Sequence, residues 1–302
     1  MQAIILFSYS SIQSIDDIKP FYDHLTYGQA TSATYERGLR LFHSIGKADP
    51  LGLVTRRIGR ALVSRLEHET EEKWRFYIGT KHSSPFVEDA VKQALQDGAN
   101  RIYTLSLTPL YSKTGTRVYE RTVVNTVEKL DKRGIDMTHI PALYHQDPLS
   151  DLLADRLENA IHWLPRELRD EAEIIFTSHS MPGNEKTQHD FIRQFEGLAT
   201  NIIEKSSLKS YRLAYCSATS GKQPWLGPDI LDVVRQVKKE GKRAVIVSEL
   251  LSIIENAEAI QEIGRDAKKL AHSLDMAFVQ TEYLNDSFDF VQFLVDYVLS
   301  VR

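Results

Sequence analysis

Eight short runs rich in β-branched and aromatic residues alternate with longer amphipathic stretches along this chain, and no other feature limits its fold as strongly. The runs are AIILFSY (3–9), WRFYIGT (74–80), RIYTLSLT (101–108), MTHIPAL (137–143), AEIIFTS (172–178), YRLAYCS (211–217), RAVIVS (243–248) and AFVQT (277–281). Between them, segments 85–95, 117–130, 149–163 and 228–239 carry apolar residues three and four apart, the spacing of a helix with one buried face. Strand and helix in alternation predict an α/β fold of parallel sheets flanked by helices. Four runs precede residue 150 and four follow it, so two similar halves are expected, 1–147 and 148–302, with the last helix packing back on the first half. The seam falls in HQDP (145–148), where Asp147 is placed to cap a helix starting at Pro148.

With 302 residues, 42% of them hydrophobic, the chain can fill one large core or two ordinary ones. A net charge of −4, with acids and bases interspersed, argues against nucleic acid as a partner. The single Cys216 rules out an internal disulfide framework, a cysteine-ligated iron–sulfur cluster and a cysteine-based structural zinc site. The opening MQAIILFSYS has no positive region, and its apolar run is too short for a signal peptide or a membrane span. A cytoplasmic protein without stable membrane insertion is expected.

Open parallel sheets bind ligands beyond the carboxyl ends of their strands. In this sequence those positions hold Tyr9, Lys81 and His82, Tyr111, His179, Ser217, and a stretch bearing Glu249, Glu255, Glu258 and Glu262. His179 lies in FTSHSMPG, a strand end broken by Pro-Gly. A lone histidine in such a turn is usually just hydrogen-bonded in place. In IIENAEAIQEI, however, Glu255, Glu258 and Glu262 stand at i, i+3 and i+7, which predicts three carboxylates along one side of a helix. The apolar LLSII run beside Glu255 marks it as the half-buried acid/base or metal ligand of the three.

These same residues carry a resemblance over nearly the whole chain to the ferrochelatases, which insert ferrous iron into a porphyrin in haem biosynthesis. FTSHSMP resembles the family's S-A-H-S-L-P, SELLSIIENAEAI the segment bearing its catalytic Glu, and GTKHSSPFVEDAV its G-L-K-H-x-x-P-F-I-E-D-A-V. TPLYS, QPWLGPD and YLNDSFDFV match further family stretches in the same order. The resemblance implies two Rossmann-like domains, each a four-stranded parallel sheet flanked by helices, with the active-site cleft between them. It implies His179 and Glu255 as the catalytic and metal-binding pair, and Glu258 and Glu262 as a proton or metal relay. Porphyrin contacts fall on Tyr9, Thr26, Phe42, Asp49 and Tyr119, with His82, Tyr111 and Trp225 behind them. Fe²⁺ is then a substrate, and no permanently bound cofactor is expected.

The sequence also departs from that pattern. The family's A-Y-G-T-P loop is Ser8-Tyr9-Ser10-Ser11-Ile12, an arginine pair of the Gram-positive branch is Thr26-Tyr27, and its I-G-G-x-S-P-L is IGKADPL, so that Asp49 replaces a serine. An Asp at a propionate-reading position is expected to repel a carboxylate. Chain length and the missing cluster cysteines favour the coproporphyrin III enzyme of Gram-positive bacteria. Alternatives are a protoporphyrin IX or other-metal chelatase, and a paralogue that binds a tetrapyrrole without turning it over; a two-lobed solute-binding protein ranks last. A monomer is expected, with transient contact to neighbouring haem-pathway enzymes.

Overall fold

The computed structural model describes residues 1–46, 49–132, 134–218 and 223–302; Lys47 and Ala48 of IGKADPL lie outside the described residues. The first sheet is built from β1 (Gln2–Ser8), α1 (Ile18–Leu25), α2 (Ser32–Ile45), α3 (Pro50–Thr70), β2 (Trp74–Thr80), α4 (Val87–Gln96), β3 (Arg101–Ser106), α5 (Thr116–Lys129) and β4 (Asp136–His139). The connecting α6 (Asp147–Trp163) leads to β5 (Ala172–His179), α7 (His189–Lys205), β6 (Tyr211–Cys216), α8 (Ile230–Lys239) and β7 (Ala244–Glu249). A continuous helical segment follows, made of α9 (Ala257–Gln261), a π-helical turn (Glu262–Ala267) and α10 (Lys268–Ser273), before β8 (Ala277–Gln280) and α11 (Phe288–Ser300).

The sheets have the same design. Their strand orders are β2-β1-β3-β4 and β6-β5-β7-β8, with every pairing parallel. β5 and β7 are buried along nearly their whole length, which is why their sequences read as unbroken apolar runs rather than alternating ones. In each sheet the chain reverses its direction of winding between the two central strands, β1 and β3 or β5 and β7. A crevice opens at such a point beyond the strand ends. Tyr9 follows β1, His179 ends β5 and Glu249 ends β7.

One local expectation needs correction. Asp147 is the first helical residue of α6 rather than its cap; Gln146 takes the cap position and makes no side-chain cap bond. The long connection from β1 to β2 holds α1, α2 and α3. Gly38, Gly52 and Gly59 inside them lower helix propensity, but each allows a close approach: a Cβ on Gly52 would lie 3.0 Å from Ser11 Cα.

Among the described residues one apolar core runs through both halves, and polar contacts tie them at several further points. The α11 end reaches α3 through a bidentate Arg57–Asp286 pair at 2.7 Å and an Arg65–Gln292 bond at 2.7 Å. Tyr111 exchanges backbone bonds with Gln194 of α7. Near the cleft, α2 lies on α9: Ser44 Oγ donates to Gln261 at 3.2 Å, and Ala257 is buried among Ile12, Ile18, Phe21, Tyr22 and Phe42. Among the described residues, no helix is long and apolar enough to cross a membrane.

Candidate active site

β5 delivers His179 to the surface as its last residue, after the fully buried Thr177 and Ser178. The turn beyond it is rigid: Ser180 N–H donates to Cys216 O at 2.7 Å and Ser180 Oγ to Leu226 O at 2.7 Å. The His179 Nδ1–H donates to Ser180 O at 2.6 Å. Because a carbonyl oxygen only accepts, Nδ1 keeps its proton and Nε2 is the nitrogen at which the ring gains or loses one. Nε2 faces Glu258 Oε2 at 3.6 Å, and the two side chains remain 38% and 53% exposed, so a flat substrate can reach both.

Charge binds this pair. Burial opposes the His179 imidazolium, but Glu258 and, behind it, Glu249 outweigh that effect and raise its pKa to about 9. Burial likewise opposes the Glu258 carboxylate, and His179 holds its pKa below the ordinary value all the same. At neutral pH the pair is therefore ionic. Glu249, fully buried at the end of β7, is pushed up to about 7 by desolvation while accepting Thr177 Oγ1 at 2.7 Å and the amides of Leu251 and Ser252 at 3.2 Å. One helical turn beyond Glu258, Glu262 accepts Ser217 Oγ at 2.9 Å, its pKa raised first by burial and then by Glu258. A π-helical turn begins at Glu262, a distortion that concentrates at functional sites.

Glu258, and not Glu255, faces His179. The expected row of three carboxylates assumed that the helix is already running at residue 255, yet it begins at Ala257, where Asn256 caps it by accepting from Ala259 N–H at 2.9 Å. Only Glu258 and Glu262, four apart, share its face. Glu255 lies in the preceding extended segment, with its amide bonded to Asn285 at 3.0 Å, and lines a separate groove of about 720 Å³ with Gly264, Gln280 and Tyr283. An Asn followed three residues later by an aligned amide was the signal for the true helix start.

The first half supplies the opposing wall. Tyr9 is 41% exposed, packs on His82 with ring centroids 4.8 Å apart, and lies within the field of Glu258. His82 is buried and shares a bond with His24 at 3.1 Å; desolvation drops its pKa to about 4, so it stands neutral. Trp225 is half-buried with its ring 6.4 Å from that of His179.

Other expected contacts are not where the motifs put them. Tyr119 is 8% exposed, stacked on Phe7 and bonded to Ser8 O, so it supports β1 from inside rather than touching the cleft. Phe42 is consumed in the cluster around Ala257. Asp49 is 6% exposed, with burial raising its pKa to about 6, and its carboxylate is engaged by protein groups. Thr26 Oγ1 bonds back to Tyr22 O at 2.7 Å, and Tyr111 is held by Glu120 at 3.2 Å, away from His179. Arg37, which no motif singles out, is an exposed guanidinium on α2 whose field reaches Tyr22 and Glu258 and which makes no ion pair with a described residue.

Among the described residues no group of three or more His, Cys, Asp or Glu side chains is placed to hold a metal ion. His179 and Glu258 together offer two donors, against the four of a closed structural site. The pair also dictates a pH response. In Glu258→Gln the main force raising the His179 pKa is gone while burial remains, so its imidazole titration, followed by NMR, should move from about 9 to below 6.5. A titration left near 9 would contradict the pairing.

The family model described as "Ferrochelatase" matches residues 1–301. Over 97% of its length the chain is 28% identical to a ferrochelatase of Herpetosiphon aurantiacus, covering 96% of that protein. It is 26% identical to a coproporphyrin III ferrochelatase of Oceanobacillus iheyensis, over 98% of this chain and 95% of the relative. The corresponding Staphylococcus aureus protein is 25% identical over 99% and 98%. Among solved structures, SirB from Bacillus subtilis with Fe3+ superposes with a TM-score of 0.62 at 12% identity, covering 99% of this chain and 95% of that one. At that identity the likeness speaks for the fold.

Proposed function

The chain belongs to the ferrochelatase family, and from that membership we propose that it inserts Fe²⁺ into coproporphyrin III, with His179 and Glu258 as the reacting pair. The observation that carries this reading is the 3.6 Å approach of His179 Nε2 to Glu258, at the sheet's switch point and opposite Tyr9. Insertion exchanges one Fe²⁺ for two pyrrole protons. With Nδ1 committed to Ser180 O, only Nε2 can accept a proton, and in the resting pair it already holds one. A dication arriving at Glu258 neutralises the carboxylate that keeps the imidazole charged. Burial then drives His179 toward its neutral form, so the approach of iron creates the base. The proton that leaves the imidazole passes by way of the Glu262 carboxylate, beside Ser217, to solvent, and the two pyrrole protons follow one after the other by the same route, each taken first by Nε2.

The choice of porphyrin is supported by the coproporphyrin III ferrochelatases among the relatives and by Arg37. A substrate with four carboxylates needs cations, and Thr26 and Tyr27 offer none; Arg37, exposed on α2 and without an ion pair among the described residues, does. Arg37→Ala should raise KM for coproporphyrin III about fivefold to tenfold and leave kcat unchanged. A changed kcat at constant KM would assign Arg37 elsewhere. Side-by-side kinetics test the substrate itself: coproporphyrin III should be the faster, and a preference for protoporphyrin IX would overturn the proposal.

A further inference from the structure

A circuit of contacts around His179 closes through Ser217. β5 and β6 pair in register as far as His179 opposite Cys216, and Ser217 is the next residue, just past the tip of β6. Ser180 N–H donates to Cys216 O at 2.7 Å, so this strand tip is tied to the turn that follows His179. From there Ser217 Oγ donates to Glu262 Oε2 at 2.9 Å. Glu262 shares its helix face with Glu258, and Glu258 returns to His179 Nε2 at 3.6 Å.

The backbone at Ser217 lies in the left-handed region, with φ at +62°, where glycine is at ease and an L side chain is strained. Such strain persists where the surroundings over-determine it, and it gathers at working sites. A glycine at 217 would relieve the strain but could not supply a hydroxyl. The partner needs one. Burial and the Glu258 charge, four residues back, both act against the Glu262 carboxylate, and the Ser217 bond opposes them. Glu262 also opens the π-helical turn, so the regular stacking that aligns it with Glu258 ends at this residue.

We propose that Ser217 is a positioning residue: its hydroxyl, carried on a strained backbone at the tip of β6, holds the Glu262 carboxylate in the path by which the proton leaves His179. The inference rests on the reading of Glu262 as that exit. Glu262 takes the proton from Nε2 on a carboxylate oxygen and gives it to solvent, and Ser217 keeps the carboxylate aimed for that transfer. Because the serine acts through Glu262, its loss slows proton departure and spares porphyrin binding.

The test compares wild type with Ser217→Ala, Ser217→Gly, Glu262→Ala and the double variant Ser217→Ala/Glu262→Ala. Iron-insertion kinetics, porphyrin binding by fluorescence quenching, thermal melting and amide hydrogen exchange are the readouts. Ser217→Ala should lower kcat about fivefold to tenfold and keep porphyrin Kd within about twofold. Glu262→Ala should lower kcat at least as much. Ser217→Gly, which accommodates the left-handed backbone, should melt above Ser217→Ala yet be just as slow, because both lack the hydroxyl. It also carries the test if the alanine variant does not fold. A non-chelating buffer acid such as MES should restore kcat in either serine variant as its concentration rises and leave wild type unchanged, a response that a purely structural defect would not give. In the Glu262→Ala background, Ser217→Ala should cost less than about twofold. A wild-type kcat in Ser217→Gly, or equal losses with and without Glu262, would overturn the inference. Exchange at residues 262–267 needs no turnover and should accelerate at least about threefold in Ser217→Gly; unchanged exchange would overturn the anchor. Acceleration there, with iron inserted at the wild-type rate by Glu262→Ala, would sustain Ser217 as the anchor of the π-helical turn and overturn the exit route alone.

Discussion

Alanine at position 179 should reduce iron insertion by about 10³-fold, leaving porphyrin affinity within about threefold and the fold intact. Two losses combine in this variant. The nitrogen that accepts the pyrrole proton disappears, which alone accounts for about 10²- to 10⁴-fold, and one of two donors for the entering ion goes with it. The fold tolerates the change because His179 is partly exposed at a strand end, with the turn beyond it secured by Ser180 bonds to Cys216 and Leu226. Three residues upstream, the fully buried Phe176 is a different case, since truncating it costs about 3–5 kcal/mol of stability. Retention of more than a tenth of wild-type kcat in His179→Ala would remove His179 from the proton-accepting role.

Glutamine scanning of the acidic segment should give a sharp contrast between two residues three apart. Glu258→Gln keeps the side-chain shape and removes the charge facing Nε2, so kcat should fall about 10²-fold or more. Glu255→Gln should stay within about threefold of wild type, because that residue lies before the helix starts and lines the groove with Gln280 and Tyr283, whereas Glu258 is the carboxylate facing Nε2. Steady-state iron insertion at saturating porphyrin measures both. The opposite ranking would mean that the helix start at Ala257 does not set the working geometry.

The sheets were legible because their strands announce themselves. Runs such as AEIIFTS and RAVIVS are apolar on both faces, and the residues at their tips, His179 and Glu249, break that pattern abruptly. What a strand end delivers could therefore be named, and His179 at the end of β5 does face a carboxylate, that of Glu258. The precise glutamate could not, because its identity depends on helix phase: a start two residues later turns Glu255 off the face it was assigned. Asp49 failed for another reason. A rim position was inferred from its neighbours in sequence, but the carboxylate is buried and taken up by Ser10, a partner that only the folded chain brings to it. Tyr119 and Phe42 illustrate the ordinary pull of burial on aromatic side chains. Arg37 lay on a helix the periodicity did not reveal, so nothing singled out its charge.

The most direct test of the account is anaerobic mixing of the purified protein with Fe²⁺ and excess coproporphyrin III, following the Soret band and porphyrin fluorescence, with His179→Ala in parallel. The account predicts many equivalents of iron porphyrin per protein in wild type and almost none in the variant. A porphyrin spectral shift of the same size in both proteins, with no metallation in either, would contradict it and leave a binding protein.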